Sequence, residues 1–213
     1  MLLAPLLLLV VASISPENSS NAQRQLTVVA RHPDRWYVSD LLAILALCLL
    51  IPAIFGLMQM LRERAPRICH VGGSLALAGV VAVAFQTALG LVEWQMIKGG
   101  ADRDQMAALL HRLEQSAGVA PVLIAAGLLA LGLTLLAFGL YRIGEIGLTT
   151  ASAIALGAIL VDVGYELPSG ALTIAAAALT ALGLGRVGWR LLLASGAPPR
   201  DRRGPVAGAP AGV

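Results

Sequence analysis

The sequence LLAILALCLLIPAIFGLMQML, residues 41–61, decides the fold because its 21 residues include no charged side chain. As an α-helix this segment would be roughly 30 Å long, which matches the hydrocarbon core of a bilayer. A second apolar run follows at residues 71–97 and contains a single acidic residue, Glu93, near its end. The two runs predict a helical hairpin that crosses a membrane twice.

The turn between the two runs is basic and contains Arg62, Arg64 and Arg67. Short loops rich in arginine stay on the cytoplasmic side of a membrane. We therefore place the turn 62–67 in the cytoplasm, which assigns a side to every other segment. The segments then assigned to the cytoplasm have a net positive charge, and the outer segments have a net negative charge.

The composition indicates the same class of protein. Apolar residues make up 58% of the 213 residues and charged residues only 13%, more apolar side chains than a soluble core requires. The net charge is +3, but the basic residues lie at the ends of apolar runs and form no basic face with interleaved aromatics, which excludes nucleic acid as a partner. The predicted surroundings are the lipid bilayer of the cell (plasma) membrane. A homo-oligomer or another membrane protein remains open as a partner.

The chain divides into four segments. Residues 1–14 are apolar, and we interpret them as a short or truncated first transmembrane helix, with a signal-like segment as the alternative. Residues 15–35 are expected to form an outer loop, and residues 36–194 a transmembrane bundle. The tail 195–213 is rich in Pro, Gly, Ala and Arg, which predicts a disordered cytoplasmic tail. The fold class is therefore all-α, a polytopic transmembrane helix bundle of about six spans.

One short helix inside the bundle segment is expected to lie on the membrane surface. Residues 101–117 carry apolar side chains at helical spacing, namely Met106, Leu109, Leu110 and Leu113. This pattern is typical of an amphipathic helix at an interface, here on the outer side. Residues 121–140 predict the next span.

Small residues at heptad spacing predict how two spans pack. One set is Gly72, Gly79, Gln86 and Glu93; the other is Gly118, Ala125, Gly132 and Gly139. Small residues allow helix backbones to approach closely inside a membrane. Both sets are therefore expected to form buried seams between helices.

Several of these features together resemble a known family. The features are Gln25-Leu26-x-x-Val29-Ala30-x-His32-Pro33-x-x-Trp36-Tyr37 and a span that closes in Leu61-Arg62-x-Arg64-Ala65-Pro66. They are similar to uncharacterised actinobacterial multi-span membrane proteins, the DUF4386-like family, over roughly residues 6–190. The resemblance implies six spans and no established activity.

A set of polar side chains near the predicted outer ends of the spans is the candidate site. The set contains Asp40, Gln86, Glu93, Asp162 and Glu166. Ionisable residues within a span are costly and commonly functional. Together they could capture a cation or a proton. The alternative is that the carboxylates are boundary residues, hydrated or paired with Arg35, Lys98 or Arg103.

No catalytic, cofactor-binding or metal-ligating set emerges from the sequence. His32 and His111 belong to no spaced histidine pair, and no serine or threonine has a histidine or lysine placed to activate it. We therefore predict a non-enzymatic structural or regulatory membrane component. The alternative is a small transporter, channel or ion- or proton-responsive sensor that uses the outer acidic cluster, and an intramembrane enzyme is a third possibility.

Overall fold

A computed structural model describes residues 3–15, 22–98, 102–166 and 169–195 of the chain. Within these ranges all regular secondary structure is helical, which confirms the all-α fold class. The helices are α1 (Leu3–Ile14), α2 (Ala22–Arg31), α3 (Pro33–Leu61), α4 (Pro66–Lys98), α5 (Arg103–Glu114), α6 (Ala120–Ala125), α7 (Leu128–Arg142), α8 (Leu148–Glu166) and α9 (Gly170–Ser195).

The long helices pack side by side in chain order around one apolar core. Helix α3 packs against α4, α4 against α7, α7 against α8, and α8 against α9, while α1 lies against α3 and α9. The core is filled by large aliphatic side chains from several helices, including Leu50, Ile54, Leu57, Leu136, Leu140 and Ile154. Because each helix contributes one face to this core, its other face points outwards.

Three helices are long and apolar enough to cross a membrane, namely α3, α4 and the segment Gly170–Leu191 of α9. Shorter apolar helices are α1, α7 and the segment Leu148–Gly164 of α8. Large apolar side chains are exposed on the outward faces of the long helices, for example Phe55 of α3 at 49% and Val81 of α4 at 69%. Contiguous apolar surface of this kind is unfavourable in water, so these faces are suited to lipid.

The backbones of α4 and α7 approach each other closely in the bundle core. A methyl group added at Gly79 would lie 2.5 Å from Cα of Leu129, and one added at Gly132 would lie 2.6 Å from Cα of Ala76. Such backbone-to-backbone contact is possible only because both positions lack a side chain. The buried seams predicted from the two glycine sets are confirmed at these positions.

Two positions of the predicted seams are exposed instead, although Glu93, the last residue of the first set, is buried. Gln86 and Gly118 both lie at the surface, and no atom lies within 4 Å of a methyl group placed at Gly118. The physical reason for this exposure is an interruption of the helix. Helix α6 ends at Ala125, and α7 begins at Leu128, opposite Gly79. Helix α7 therefore does not continue along the later turns of α4, which also contacts the short helix α6. The predicted span over 121–140 is thus interrupted at residues 126–127.

The segment predicted as a loop, 15–35, contains α2 and the start of α3. Leu26 and Val29 are buried in α2, at a spacing that places both on one face of the helix. The loop prediction was wrong because α2 is stabilised by packing against α5 and α4, which are distant in the chain. Residues 1–2 and 16–21, parts of the predicted first helix and loop, lie outside the described residues, as does 196–213 of the predicted tail.

The predicted amphipathic helix is present as α5. Asp102 begins it, because its Oδ1 accepts a hydrogen bond from the backbone N–H of Asp104 at 3.0 Å. The buried face differs in detail from the prediction: Ala107 and Leu110 are buried, whereas Leu109 is 45% exposed. The face is narrower than the spacing predicted because α5 packs mainly against the single helix α2.

Candidate functional site

The two ends of the bundle differ in character. At one end, α2 and α5 pack together over the start of α3 and the end of α4; we call this pair of helices the cap. Leu26, Ala107 and Leu110 form its buried apolar cluster, against which Ile97 of α4 packs. Because Ile97 belongs to a long helix of the bundle, the cap is joined to the bundle through this cluster.

A buried polar contact also joins the cap to the bundle. Gln25 of α2 and Glu93 of α4 are both 8% exposed, and Gln25 Nε2 donates a hydrogen bond to Glu93 Oε2 at 3.2 Å. A buried carboxylate that loses a hydrogen-bond donor is strongly destabilised. The contact therefore fixes the position of α2 relative to α4.

Asp40 lies across the α3–α4 contact from Gly90, which precedes Glu93 by about one turn of α4. Trp36 precedes Asp40 by one turn on the same face of α3, and its Nε1 donates to the backbone oxygen of Gly90 at 3.1 Å. A methyl group added at Gly90 would contact Oδ2 of Asp40 and would lie 3.2 Å from its Cγ. The missing side chain at Gly90 thus provides the space that the Asp40 carboxyl group occupies.

The carboxyl group of Asp40 is incompletely satisfied. Its Oδ2 is buried and has no hydrogen-bond partner among the described residues. A buried acceptor without a donor is costly, and it is the kind of atom that a bound cation or proton stabilises. Gln25, Trp36, Asp40, Gly90 and Glu93 form what we call the polar junction.

The other predicted site residues are not part of this junction. Asp162 is half-buried and lines a separate cavity of about 90 Å³, whose other walls include Pro5, Leu50 and Thr173. Its neighbours come mainly from α1, α7 and α9, whereas Asp40 contacts α4. Gln86 is exposed, and the side chain of Glu166 lies outside the described side chains.

The cations that the alternative interpretation paired with these carboxylates have other contacts. Arg35 donates from its Nε to the backbone oxygen of Ile14 and from Nη2 to that of Ser13. The ammonium group of Lys98 lies 4.1 Å from the ring centroid of Trp94. In the described part of the chain, neither forms an ion pair with a carboxylate. The side chain of Arg103 is not described.

An aromatic pair lies beside the junction. The rings of Tyr37 and Trp94 stack with their centroids 4.6 Å apart. Tyr37 is 37% exposed, so the pair reaches the surface at the cap end. Stacked Trp and Tyr rings with a lysine above them are typical of the interface between a bilayer and water.

The opposite end of the bundle is basic. Arg64, in the turn after α3, forms an ion pair with Glu145 at 3.0 Å, and Nη1 of Arg190 in α9 donates to the backbone oxygen of Glu145 at 3.0 Å. These contacts bring the turns 62–65 and 143–147 and the last turns of α9 together. We call this the basic end.

Gln25, Trp36 and Gly90 were not predicted as members of the polar junction. Trp36 and Asp40 at positions i and i+4 were a usable signal, because such residues share a helix face. Gln25 gave no such signal, since its role depends on α2 folding back onto α4. Thiols and metal ligands add nothing to the junction: Cys48 and Cys69 are both free, and no group of three or more His, Cys, Asp or Glu in the described ranges could hold a metal ion.

Comparison with protein families, curated proteins and solved structures finds no match to this chain.

Proposed function

We propose that this chain is a six-span protein of the cell membrane with a structural or regulatory, non-enzymatic role. The observation that carries the proposal is the exposed apolar surface along α3, α4 and α9. The six proposed spans are α1, α3, α4, the pair α6–α7, α8 and α9. The shorter ones complete a bundle in which every helix packs against a neighbour that is itself apolar.

The proposed orientation has the basic end in the cytoplasm and the cap outside. Arg64, Glu145 and Arg190 are in contact, so the turns after α3 and α7 and the last turns of α9 lie together, and two of these three segments carry an excess of arginine. Alternating spans require these segments to be on the same side, and arginine-rich segments remain in the cytoplasm. The contact therefore supports the orientation inferred from charge.

The non-enzymatic role is supported by what the polar side chains do. The hydroxyl groups of Thr87 and Thr180 donate to the backbone oxygens four residues earlier, at 2.9 and 3.0 Å. Hydroxyl groups held in this way stabilise their own helix and are poorly placed to act as nucleophiles. The Gln25–Glu93 contact joins two helices. On this basis the cap is the part through which the protein would contact a partner.

The test is membrane extraction followed by a topology measurement. In a background with Cys48 and Cys69 replaced by serine, single cysteines at Glu63 and Ala108, both exposed positions, are exposed to a membrane-impermeant maleimide in whole cells. We expect labelling of Ala108→Cys in intact cells and of Glu63→Cys only after lysis. Release of the chain by alkaline carbonate, or the reverse labelling pattern, contradicts the proposal.

A second candidate function is an ion- or proton-responsive membrane sensor. The observation that favours it is the buried Oδ2 of Asp40, which has no hydrogen-bond donor among the described residues and faces Gly90, three residues before the buried Glu93 in α4. A bound cation would satisfy this atom and stabilise the folded state by mass action.

Thermal unfolding of the detergent-purified protein across pH values and alkali and alkaline-earth cations tests this candidate. We expect one ion or pH range to raise the melting temperature of the wild type and not that of Asp40→Asn or Glu93→Gln. Asp34→Asn, which alters an exposed carboxylate earlier in the same helix, is the matched control and should respond like the wild type. Identical melting of all four proteins under every condition contradicts a sensor role.

A further inference from the structure

A cavity at the basic end has a composition that the proposed function does not explain. Its volume is about 490 Å³, and it lies between the start of α8 and the second half of α9. Ile146 and Thr150 form one wall, and Leu182, Arg186 and Arg190 belong to the other. Pockets for small ligands have volumes of roughly 300–1,000 Å³, so this cavity is large enough to hold one.

The cavity is positively charged. Among the residues that the structure describes, two arginines and no acidic side chain line it. The carboxylate of Glu145, in the turn before α8, accepts from Arg64 at 3.0 Å, and Arg190 donates to the backbone oxygen of Glu145. Arg186 makes no hydrogen bond or ion pair within the described part of the chain. Guanidinium groups in such a position favour an anion, and phosphate most of all.

The polarity of the cavity changes along α9. Leu182 is 62% exposed and Trp189 is 59% exposed; at 1.5 Å per residue they are about 10 Å apart along the helix axis. The wall is thus apolar towards the middle of α9, basic at Arg186, and aromatic and basic at Trp189 and Arg190. Tryptophan is enriched where the bilayer meets water. This order of groups matches a molecule with an apolar chain and a phosphate head. A free phosphate would contact the arginines and leave the apolar part of the wall uncovered.

We propose that this cavity binds an anionic glycerophospholipid. Arg186 and Arg190 contact the headgroup phosphate, and one acyl chain lies along Leu182. Basic pockets between membrane helices recognise anionic headgroups in this way. The proposal rests on the membrane location given under the proposed function, and it adds a specific ligand class and site to it.

The test is lipid titration of the purified full chain in a neutral detergent, followed by native mass spectrometry. The probes are phosphatidylglycerol, zwitterionic phosphatidylcholine, and inorganic phosphate as the soluble source of the same group. We expect one phosphatidylglycerol per chain to be retained, and neither phosphatidylcholine nor inorganic phosphate to compete with it at equal concentration. Inorganic phosphate that competes equally well overturns the lipid assignment.

Substitutions locate the site. Arg186→Gln is expected to weaken phosphatidylglycerol binding about five-fold, and Arg190→Gln by a similar factor. Arg186→Lys keeps the charge and should retain most of the binding, which also separates loss of the ligand from loss of the fold. Arg142→Gln removes an exposed arginine at the same end, outside the cavity, and serves as the matched control. Equal binding by Arg186→Gln and the wild type overturns the site.

Failure of this proposal is distinct from failure of the proposed function. A chain that resists carbonate extraction but shows no preference for phosphatidylglycerol overturns only the lipid site. A chain that carbonate releases from membranes overturns the membrane location itself.

Discussion

Replacing Gly132 with alanine should destabilise the bundle by about 1–2 kcal/mol. The added methyl group would lie 2.6 Å from Cα of Ala76, where ordinary contacts begin at 3.4 Å. The overlap is about 0.8 Å and involves backbone, which cannot rotate away as a side chain can. Overpacking of this kind costs about 1–3 kcal/mol, and alanine recovers up to about 1 kcal/mol of helix propensity.

The same argument applies to Gly79, where an added methyl group would lie 2.5 Å from Cα of Leu129. Once one added methyl group has pushed α4 and α7 apart, the second added methyl group overlaps less with the facing helix. The double variant Gly79→Ala/Gly132→Ala is therefore expected to lose less free energy of unfolding than the sum of the two single losses.

The assay is equilibrium unfolding of the purified protein in mixed micelles of increasing SDS fraction, followed by far-ultraviolet circular dichroism. Gly118→Ala is the control, because nothing lies within 4 Å of its added methyl group; it should change the free energy of unfolding by less than about 0.5 kcal/mol. If Gly132→Ala is as stable as the wild type, or if Gly118→Ala is equally destabilised, the close approach of α4 and α7 is not what holds this seam.

Three further changes probe the cap, the polar junction and the basic end. Gln25→Leu leaves the buried Glu93 without one donor, so we expect a loss of about 1–3 kcal/mol and faster tryptic cleavage in α2. Trp36→Phe removes the hydrogen bond to Gly90 and replaces the indole with a smaller aromatic ring, which should cost at least about 1 kcal/mol of unfolding free energy. Arg64→Gln breaks an exposed ion pair, so unfolding at low salt should change by less than about 1 kcal/mol.

A different outcome would contradict each of these three predictions. Gln105→Leu alters an exposed residue of the cap, and tryptic cleavage as fast as in Gln25→Leu would show that the buried contact does not hold α2. If Trp36→Phe unfolds like the wild type, the hydrogen bond from the indole N–H does not stabilise the polar junction. A large loss in Arg64→Gln that persists in high salt contradicts the assignment of this pair to the solvated surface.

The long helices were predictable because their signal is local. A run of uncharged residues such as 41–61 can satisfy its backbone polar groups in an apolar setting only as a helix, whatever packs around it. Small residues at heptad spacing likewise predicted the α4–α7 seam, since Gly79 and Gly132 permit a contact that larger residues forbid.

The candidate site was predictable only in part. Asp40 and Glu93 were recognised because a carboxylate in an apolar run is unusual. Asp162 was grouped with them on sequence position alone, and the structure places it against a different cavity. Position along a span sets depth in the bundle, but it does not determine which helix a side chain faces, and so Gln86 was predicted inside and is exposed.

By itself the sequence determined that this chain is helical and apolar, that its basic residues cluster at segment ends, and which positions are small enough for close packing. Hydrophobic runs and charge are properties of consecutive residues, so they need no knowledge of the fold. Only the tertiary structure decided that Gln25 meets Glu93, 68 residues away, and that Arg186 and Arg190 share a cavity with α8. These contacts depend on which helices become neighbours, and that choice is made by the packing of the whole chain.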